Sequence, residues 1–209
     1  MTIETDVRTH RRRLFIDISK RKLRAGTGSS KAFLATKTTQ MKWTDLKPVL
    51  APLKFAITDG VATRLYMPER FTKDLDVVVA VSDAQVAYEK LKRAGFQFQS
   101  ELALVRGGIW ISPDQQEIDV LEGIEPWWTD ALNEAQGNLD AQGLPILPLR
   151  YLVLMKYQSG RAQDLADIER MLGQATDEAL KPVRAIFARF APDDLADLES
   201  LIELGKLSA

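Results

Sequence analysis

An α+β fold, a mixed β-sheet core followed by a helical C-terminal layer, is predicted by three observations. Strand-like segments gather in the first part of the chain, and segments of helical period fill the last sixty residues. No apolar run approaches the roughly 18 residues that a membrane span needs. The boundaries predicted on this basis are a basic N-terminal extension over residues 1–42, an α/β core over 43–148 and a helical region over 149–209.

Residues 1–40 show no sustained periodicity apart from one short strand candidate at Arg13–Ile18, and Gly26–Lys31 reads as a turn-rich linker. That glycine-rich stretch does not meet the G-x-x-x-x-G-K-[ST] phosphate-loop pattern and lacks a strand–helix context. From Trp43 the pattern becomes globular. Thr44–Leu53 predicts a short helix interrupted by Pro48 and Pro52, Lys54–Thr58 a strand, and Val61–Tyr66 a short helix. Asp74–Val81 is a valine-rich strand, and Ser82–Ala94 a helix stopped by Gly95. Strands are then expected at Phe96–Phe98 and Leu102–Val105, with Arg106-Gly107-Gly108 as a turn. A hairpin is expected from Ile109–Ser112 and Glu117–Leu121 around Pro113-Asp114-Gln115. Pro126–Ala135 is helical and Gly143–Pro148 extended. Four helices complete the chain at Leu149–Gln158, Ala162–Leu172, Asp177–Arg189 and Pro192–Leu204.

Composition removes several kinds of chemistry. The 209 residues include no cysteine, so thiolate nucleophiles, disulfides and Cys-ligated zinc are out. This suits a cytoplasmic protein, and the polar N-terminus is no secretory signal. The single histidine, His10, rules out a multi-histidine metal site, and no G-x-S-x-G elbow accompanies it. Acids, bases and ligands must therefore come from carboxylates, lysines or backbone groups. The net charge of −1 hides an asymmetry: residues 1–48 hold twelve basic and four acidic side chains, net +8, and the remainder carries −9. A basic arm of this kind either touches nucleic acid or is a solvated extension that pairs with the acidic body.

The chemistry-bearing segment is Arg70-Phe71-Thr72-Lys73-Asp74-Leu75-Asp76-Val77-Val78-Val79. Strand side chains alternate faces, so Asp74 and Asp76 point one way while Leu75 and Val77 point the other. Two carboxylates roughly 6–7 Å apart can converge on a hard cation, or they can open the strand at a solvent edge. Asp119, alone among apolar neighbours in Glu117-Ile118-Asp119-Val120-Leu121, offers a third carboxylate, or else caps a turn or pairs with an arginine. Three such groups in one pocket repel and raise their pKa values unless a cation neutralises them. Farther on, Lys156 falls on the apolar stripe of Leu149, Leu152 and Val153, so it either snorkels to solvent or reaches a polar site. Arg161, Asp164 and Asp167 share a helix face and are compatible with a structural ion cluster.

A strand leading to Gly60-x-Ala62, then R-x-T-x-D-x-D, an isolated strand aspartate, a lysine-bearing helix and R-x-x-D-x-x-D resembles the minimal nucleotidyltransferases. It is most similar to the AbiEii-like group, many of them toxins of bacterial toxin–antitoxin or abortive-infection systems. The resemblance spans about Trp43 to Leu172. It implies a nucleotidyltransferase-type mixed sheet in which Asp74, Asp76 and Asp119 are catalytic and bind Mg²⁺ or Mn²⁺. Gly60, Arg64, Arg70, Thr72, Lys156, Arg161 and Asp164 would bind the nucleotide, with Gly60 letting backbone approach the phosphates. The implied reaction moves a nucleoside monophosphate from ATP or another NTP to a hydroxyl of RNA, such as tRNA, or of a protein. An antitoxin-like protein would be a partner. Two departures stand out: Asp59-Gly60 replaces the family's Gly-Gly or Gly-Ser, and Gln163 stands where a lysine often precedes the later aspartate. Two other readings remain: a catalytically silent nucleotide- or RNA-binding regulator on the same fold, and a structural member of a two-protein system. Trp127-Trp128 either stacks on a base or belongs to the core.

Overall fold

The computed structural model describes Arg13, Ile16 and residues 42–68 and 72–208. Of the short strand expected at Arg13–Ile18 only Arg13 and Ile16 are described, and both are helical; the Gly26–Lys31 linker, most of the basic arm, and Arg70 lie outside the described residues. Two compact units are present. One spans Ala32–Pro148, and the other combines Leu149–Ala209 with the Met1–Lys31 segment.

The first unit is built on a five-stranded mixed sheet of order β1-β2-β5-β4-β3. Its strands are β1 (Phe55–Ile57), β2 (Asp74–Ala80), β3 (Gln97–Glu101), β4 (Gly107–Ile111) and β5 (Glu117–Gly123). β2 runs parallel to β5 and the other pairings are antiparallel. One sheet face carries Leu75, Val77, Val79, Ile118, Val120 and Trp110, all essentially inaccessible. Burying each such side chain is worth about 1.5–3 kcal/mol, so this face anchors the sheet and leaves the opposite face open to charge. Helix α3 (Ala84–Arg93) belongs to this apolar side: it buries Ala84, Ala87 and Leu91, and its Tyr88 ring stacks on Trp110 at 5.4 Å.

The helices α1 (Lys47–Leu50) and α2 (Asp59–Ala62) are single turns. The expected Thr44–Leu53 helix shrinks to α1, with Pro48 at its start and Pro52 beyond its end, because proline has no N–H to continue the ladder. Helix α4 (Trp128–Ala135) follows β5 and buries Trp128, Ala131, Leu132 and Ala135. Trp127 and Trp128 are buried with ring centroids 4.0 Å apart, which makes them core residues. The extended segment after α4 seals the outer side of β1: Ile57 N donates to Pro145 O at 2.7 Å, and Leu147 N to Ile57 O at 2.9 Å.

Two expectations fail around residue 104. Leu102–Val105 is no strand, and Leu104 and Val105 are 87% and 54% exposed. Arg106-Gly107-Gly108 is not a turn of its own, because β4 already begins at Gly107. A Cβ on Gly107, whose φ is +146°, would lie 2.2 Å from the Val120 carbonyl oxygen, so glycine is what lets β4 close against β5 at that point.

The second unit comprises α5 (Leu149–Ser159), α6 (Ala162–Gln174), α7 (Asp177–Phe190) and α8 (Leu195–Ser208). Thr176 caps α7 by accepting from Ala179 N at 3.2 Å. Tyr157 meets Phe187 edge-on at 5.2 Å and donates to Asp197 Oδ2 at 3.0 Å. Helices α6 and α8 touch backbone to backbone through two glycines: a Cβ on Gly205 would lie 2.1 Å from Glu169 O, and one on Gly173 2.3 Å from Gly205 O. The architecture is α+β, with a mixed sheet in the first unit and helices at the C-terminal end of the chain.

Candidate functional site

The strand alternation expected for Asp74-Leu75-Asp76 is present, with Leu75 buried on the apolar face and the two aspartates half-buried on the other. The parallel pairing sets Asp74 beside Glu117 and Asp76 beside Asp119. One carboxylate oxygen from each of Asp74, Asp76 and Asp119 lies within 4.8 Å of the others. Thr72, itself buried, donates its hydroxyl to Asp74 Oδ1 at 2.8 Å, which fixes the carboxylate at the head of β2.

Burial raises the Asp119 carboxyl from 3.8 to about 6, and the charges of Asp74, Glu117 and Asp59 push in the same direction. Its Oδ1 is shielded from solvent and has no hydrogen-bond partner. A buried acceptor in a carboxylate cluster is costly when it has nothing to bind. Three convergent hard oxygens, with no imidazole or thiolate near them among the described residues, suit Mg²⁺ or Mn²⁺ better than softer ions. The donor set and the orphaned oxygen therefore fit a hard divalent cation held by Asp74, Asp76 and Asp119.

Asp59 opens α2 with φ at +45°, a left-handed conformation that glycine adopts freely and a side-chain-bearing residue does not. The sequence departure at this position is thus also a backbone irregularity, and the side chain it introduces acts on Asp119. Gly60 is buried one residue on, and its carbonyl accepts from Thr63 Oγ1 at 2.7 Å.

Arg64 is turned to the Asp140 carboxylate, with which it makes a very short ion pair, and to Gln142 Oε1 at 3.0 Å. Asp140 also ties its own loop by accepting from Gln142 N and Leu144 N. No local pattern announces this Arg64–Asp140 pair, since the two residues are 76 positions apart.

In the helical unit, Lys156 is fully buried, and its ammonium donates to Asp164 Oδ1 at 2.7 Å and Asp167 Oδ2 at 3.0 Å. Asp164 also receives Arg161 Nε at 2.5 Å and the Ser159 hydroxyl, and Gln163 donates to Asp167 at 3.0 Å. The lysine on the apolar stripe therefore reaches a polar site and does not snorkel. Ser159 is the member that the sequence pattern did not single out. The only signal for it was its position between the lysine helix and the R-x-x-D-x-x-D run.

No family model matches the sequence, and no curated protein does. Among solved structures the chain is similar to the antibiotic-resistance factor ANT(2'')-Ia in solution, at 12% identity and a TM-score of 0.38, over 72% of this chain and 82% of that one. ANT(2'')-Ia in complex with adenylyl-2''-tobramycin is similar at 13% identity and 0.38, over 72% and 87%. Terminal uridylyl transferase 4 from Trypanosoma brucei with bound GTP is similar at 9% identity and 0.29, over 86% and 70%. Overlaps this loose say nothing by themselves about what the chain does, and the functional reading rests on the carboxylates.

Proposed function

We propose that this protein is a metal-dependent nucleotidyltransferase that moves a nucleoside monophosphate from an NTP to a hydroxyl acceptor. The observation that carries the reading is the convergence of Asp74, Asp76 and Asp119 on two adjacent parallel strands, with a buried Asp119 oxygen that lacks a partner. Asp74 and Asp76 would hold Mg²⁺ or Mn²⁺ together with the triphosphate, and Asp119 would complete the ligand set. When bound, the ion would supply charge stabilisation at the α-phosphate and to the departing pyrophosphate. The acceptor oxygen forms a bond to the α-phosphorus, and the α-phosphorus bond to the bridging oxygen breaks. In this reading Asp119 would also take the proton released by the acceptor. Thr72 orients Asp74.

Lys156, Arg161 and Asp164 would hold the nucleotide by the resemblance to the minimal nucleotidyltransferases, while their bonds to one another inside the helical unit support a structural role. The AbiEii-like resemblance adds the finer expectations: an RNA acceptor such as tRNA or a protein hydroxyl, a toxin-like role with an antitoxin-like partner, and a cytoplasmic setting. No helix among the described residues is long and apolar enough to cross a membrane.

One observation favours a second reading. Asp59 adds negative charge beside the trio and opposes a triphosphate, which suits a catalytically silent nucleotide- or RNA-binding regulator. The deciding experiment offers each labelled NTP with Mg²⁺ and total RNA or protein to wild type and to Asp74→Ala/Asp76→Ala. Label transferred only by wild type supports the enzyme. No transfer to either acceptor, with nucleotide binding retained, selects the regulator.

A further inference from the structure

The sheet face that carries the trio continues past Asp119. On β5, Glu117 and Leu121 share that face, two residues before and two after Asp119. The ladder to β4 sets Ile111 beside Glu117 and Ile109 beside Asp119. Ile109, Ile111 and Leu121 are half-buried, and Glu117 is exposed. Glu117 also stands beside Asp74, but outside the trio whose oxygens converge. The strip ends at Gly123, where a Cβ would lie 2.6 Å from Trp128 Cγ. From Glu117 to Leu121 it is about 13 Å long, enough for a short extended segment. β3, β4 and β5 contain no lysine or arginine.

In the transfer reaction proposed above, on which this inference rests, the acceptor hydroxyl gives its proton to Asp119. β2, on one side of Asp119, carries the metal-holding Asp74 and Asp76, so the acceptor's side is β4. We propose that this strip is the acceptor site, and that the acceptor is a serine, threonine or tyrosine hydroxyl in a basic protein segment. An arginine or lysine near the reacting hydroxyl lays its aliphatic stem on Ile109 and Ile111 and carries its charge to Glu117. The hydroxyl oxygen bonds to the α-phosphorus as pyrophosphate leaves, and its proton passes to Asp119. A ribose hydroxyl of RNA fits less well. It arrives with phosphates, which are ordinarily met by lysine and arginine, and these three strands offer them only carboxylates, amides and apolar groups.

Two synthetic peptides test this. Both carry a serine, a threonine and a tyrosine, spaced by arginines in one and by glutamates in the other. With each labelled NTP and Mg²⁺, wild type is expected to label the arginine peptide about tenfold faster than the glutamate peptide, and faster than total RNA. Glu117→Gln is expected to raise the KM for the arginine peptide about tenfold and to leave the KM for the NTP unchanged. Glu117→Lys should reverse the preference between the peptides. Thermal melts that match wild type establish that the variants fold. Labelling of RNA in preference to either peptide keeps the transferase and overturns the inference. Equal labelling of the two peptides overturns it too, as does a Glu117→Gln effect that falls on the NTP. Labelling of no acceptor by wild type overturns the transfer reading and the acceptor site with it.

Discussion

Asp76 and Asp119 stand directly opposite each other on two parallel strands, so two carboxylates occupy neighbouring positions of one sheet face. Adjacent strands are only about 4.8 Å apart, and with Asp74 on the same face the like charges cannot separate without breaking the ladder. The repulsion is therefore built into the backbone register, and a cation is the economical way to relieve it.

Relief should be measurable as stability. A ligand that binds only the folded state stabilises it by about 1.4 kcal/mol at ten times its dissociation constant. Mg²⁺ and Mn²⁺ are expected to raise the melting temperature of wild type and leave Asp76→Ala unmoved. Calorimetric melts with and without the ion check this, and an equal rise in both proteins would place the ion elsewhere.

The raised carboxyl of Asp119 makes a second prediction, for the metal-free protein. Its folded pKa of about 6 exceeds the ordinary 3.8, so the folded state binds the proton more tightly. The stabilising contribution is full below about pH 4 and is lost as pH rises through about 6. Because the group is half exposed, solvent screening reduces the effect to about 1–2 kcal/mol. Asp119→Asn should therefore be more stable than wild type at neutral pH by that amount, with the difference closing towards pH 4. Urea unfolding of the two proteins across this range reads it directly.

In the helical unit, Lys156→Met leaves Asp164 and Asp167 buried without their shared ammonium. Removing one partner of a buried ion cluster costs about 3–5 kcal/mol. Lys156→Met combined with Asp164→Asn and Asp167→Asn should recover much of that loss. If the single variant proves as stable as wild type, the structural role assigned to this cluster is wrong.

How much of this was legible beforehand depends on whether the signal is local. Asp74 and Asp76 could be placed on one face because strand side chains alternate, and Lys156 stood out because it interrupts an apolar stripe. The opposition of Asp76 to Asp119 could not be read, since register between strands some forty residues apart is set by the intervening chain. β3 was read only at its start, in the strand expected at Phe96–Phe98, for a different reason. Its Gln-Phe-Gln-Ser-Glu stretch has no buried face to impose alternation, while the apolar Leu102–Val105 beside it looks like a strand and is an exposed loop. Asp59 was visible as a departure, but its left-handed backbone was not, because nothing local demands φ of +45° from an aspartate.

That aspartate gives the sharpest remaining prediction. Asp59→Gly removes the cost of holding a side-chain-bearing residue at positive φ, about 1 kcal/mol, although part is returned through the more flexible unfolded chain. It also removes one of the charges that raise Asp119, so the Asp119 carboxyl should titrate at lower pH than in wild type. The backbone relief stabilises the fold without distinguishing its loaded from its empty form, and the lost charge lowers the repulsion of a triphosphate while it lowers the attraction for a cation. Asp59→Gly is therefore expected to bind NTP more tightly, with no gain in affinity for Mg²⁺ alone, and to transfer nucleotide faster where wild type transfers it. Carbon-detected NMR titration of the aspartate carboxyls reports the shift independently of any activity. A lowered Asp119 pKa without tighter NTP binding would mean that Asp59 acts on the carboxylate but stands clear of the triphosphate. An unchanged pKa would mean that burial, with the charges of Asp74 and Glu117, holds Asp119 near neutrality without Asp59.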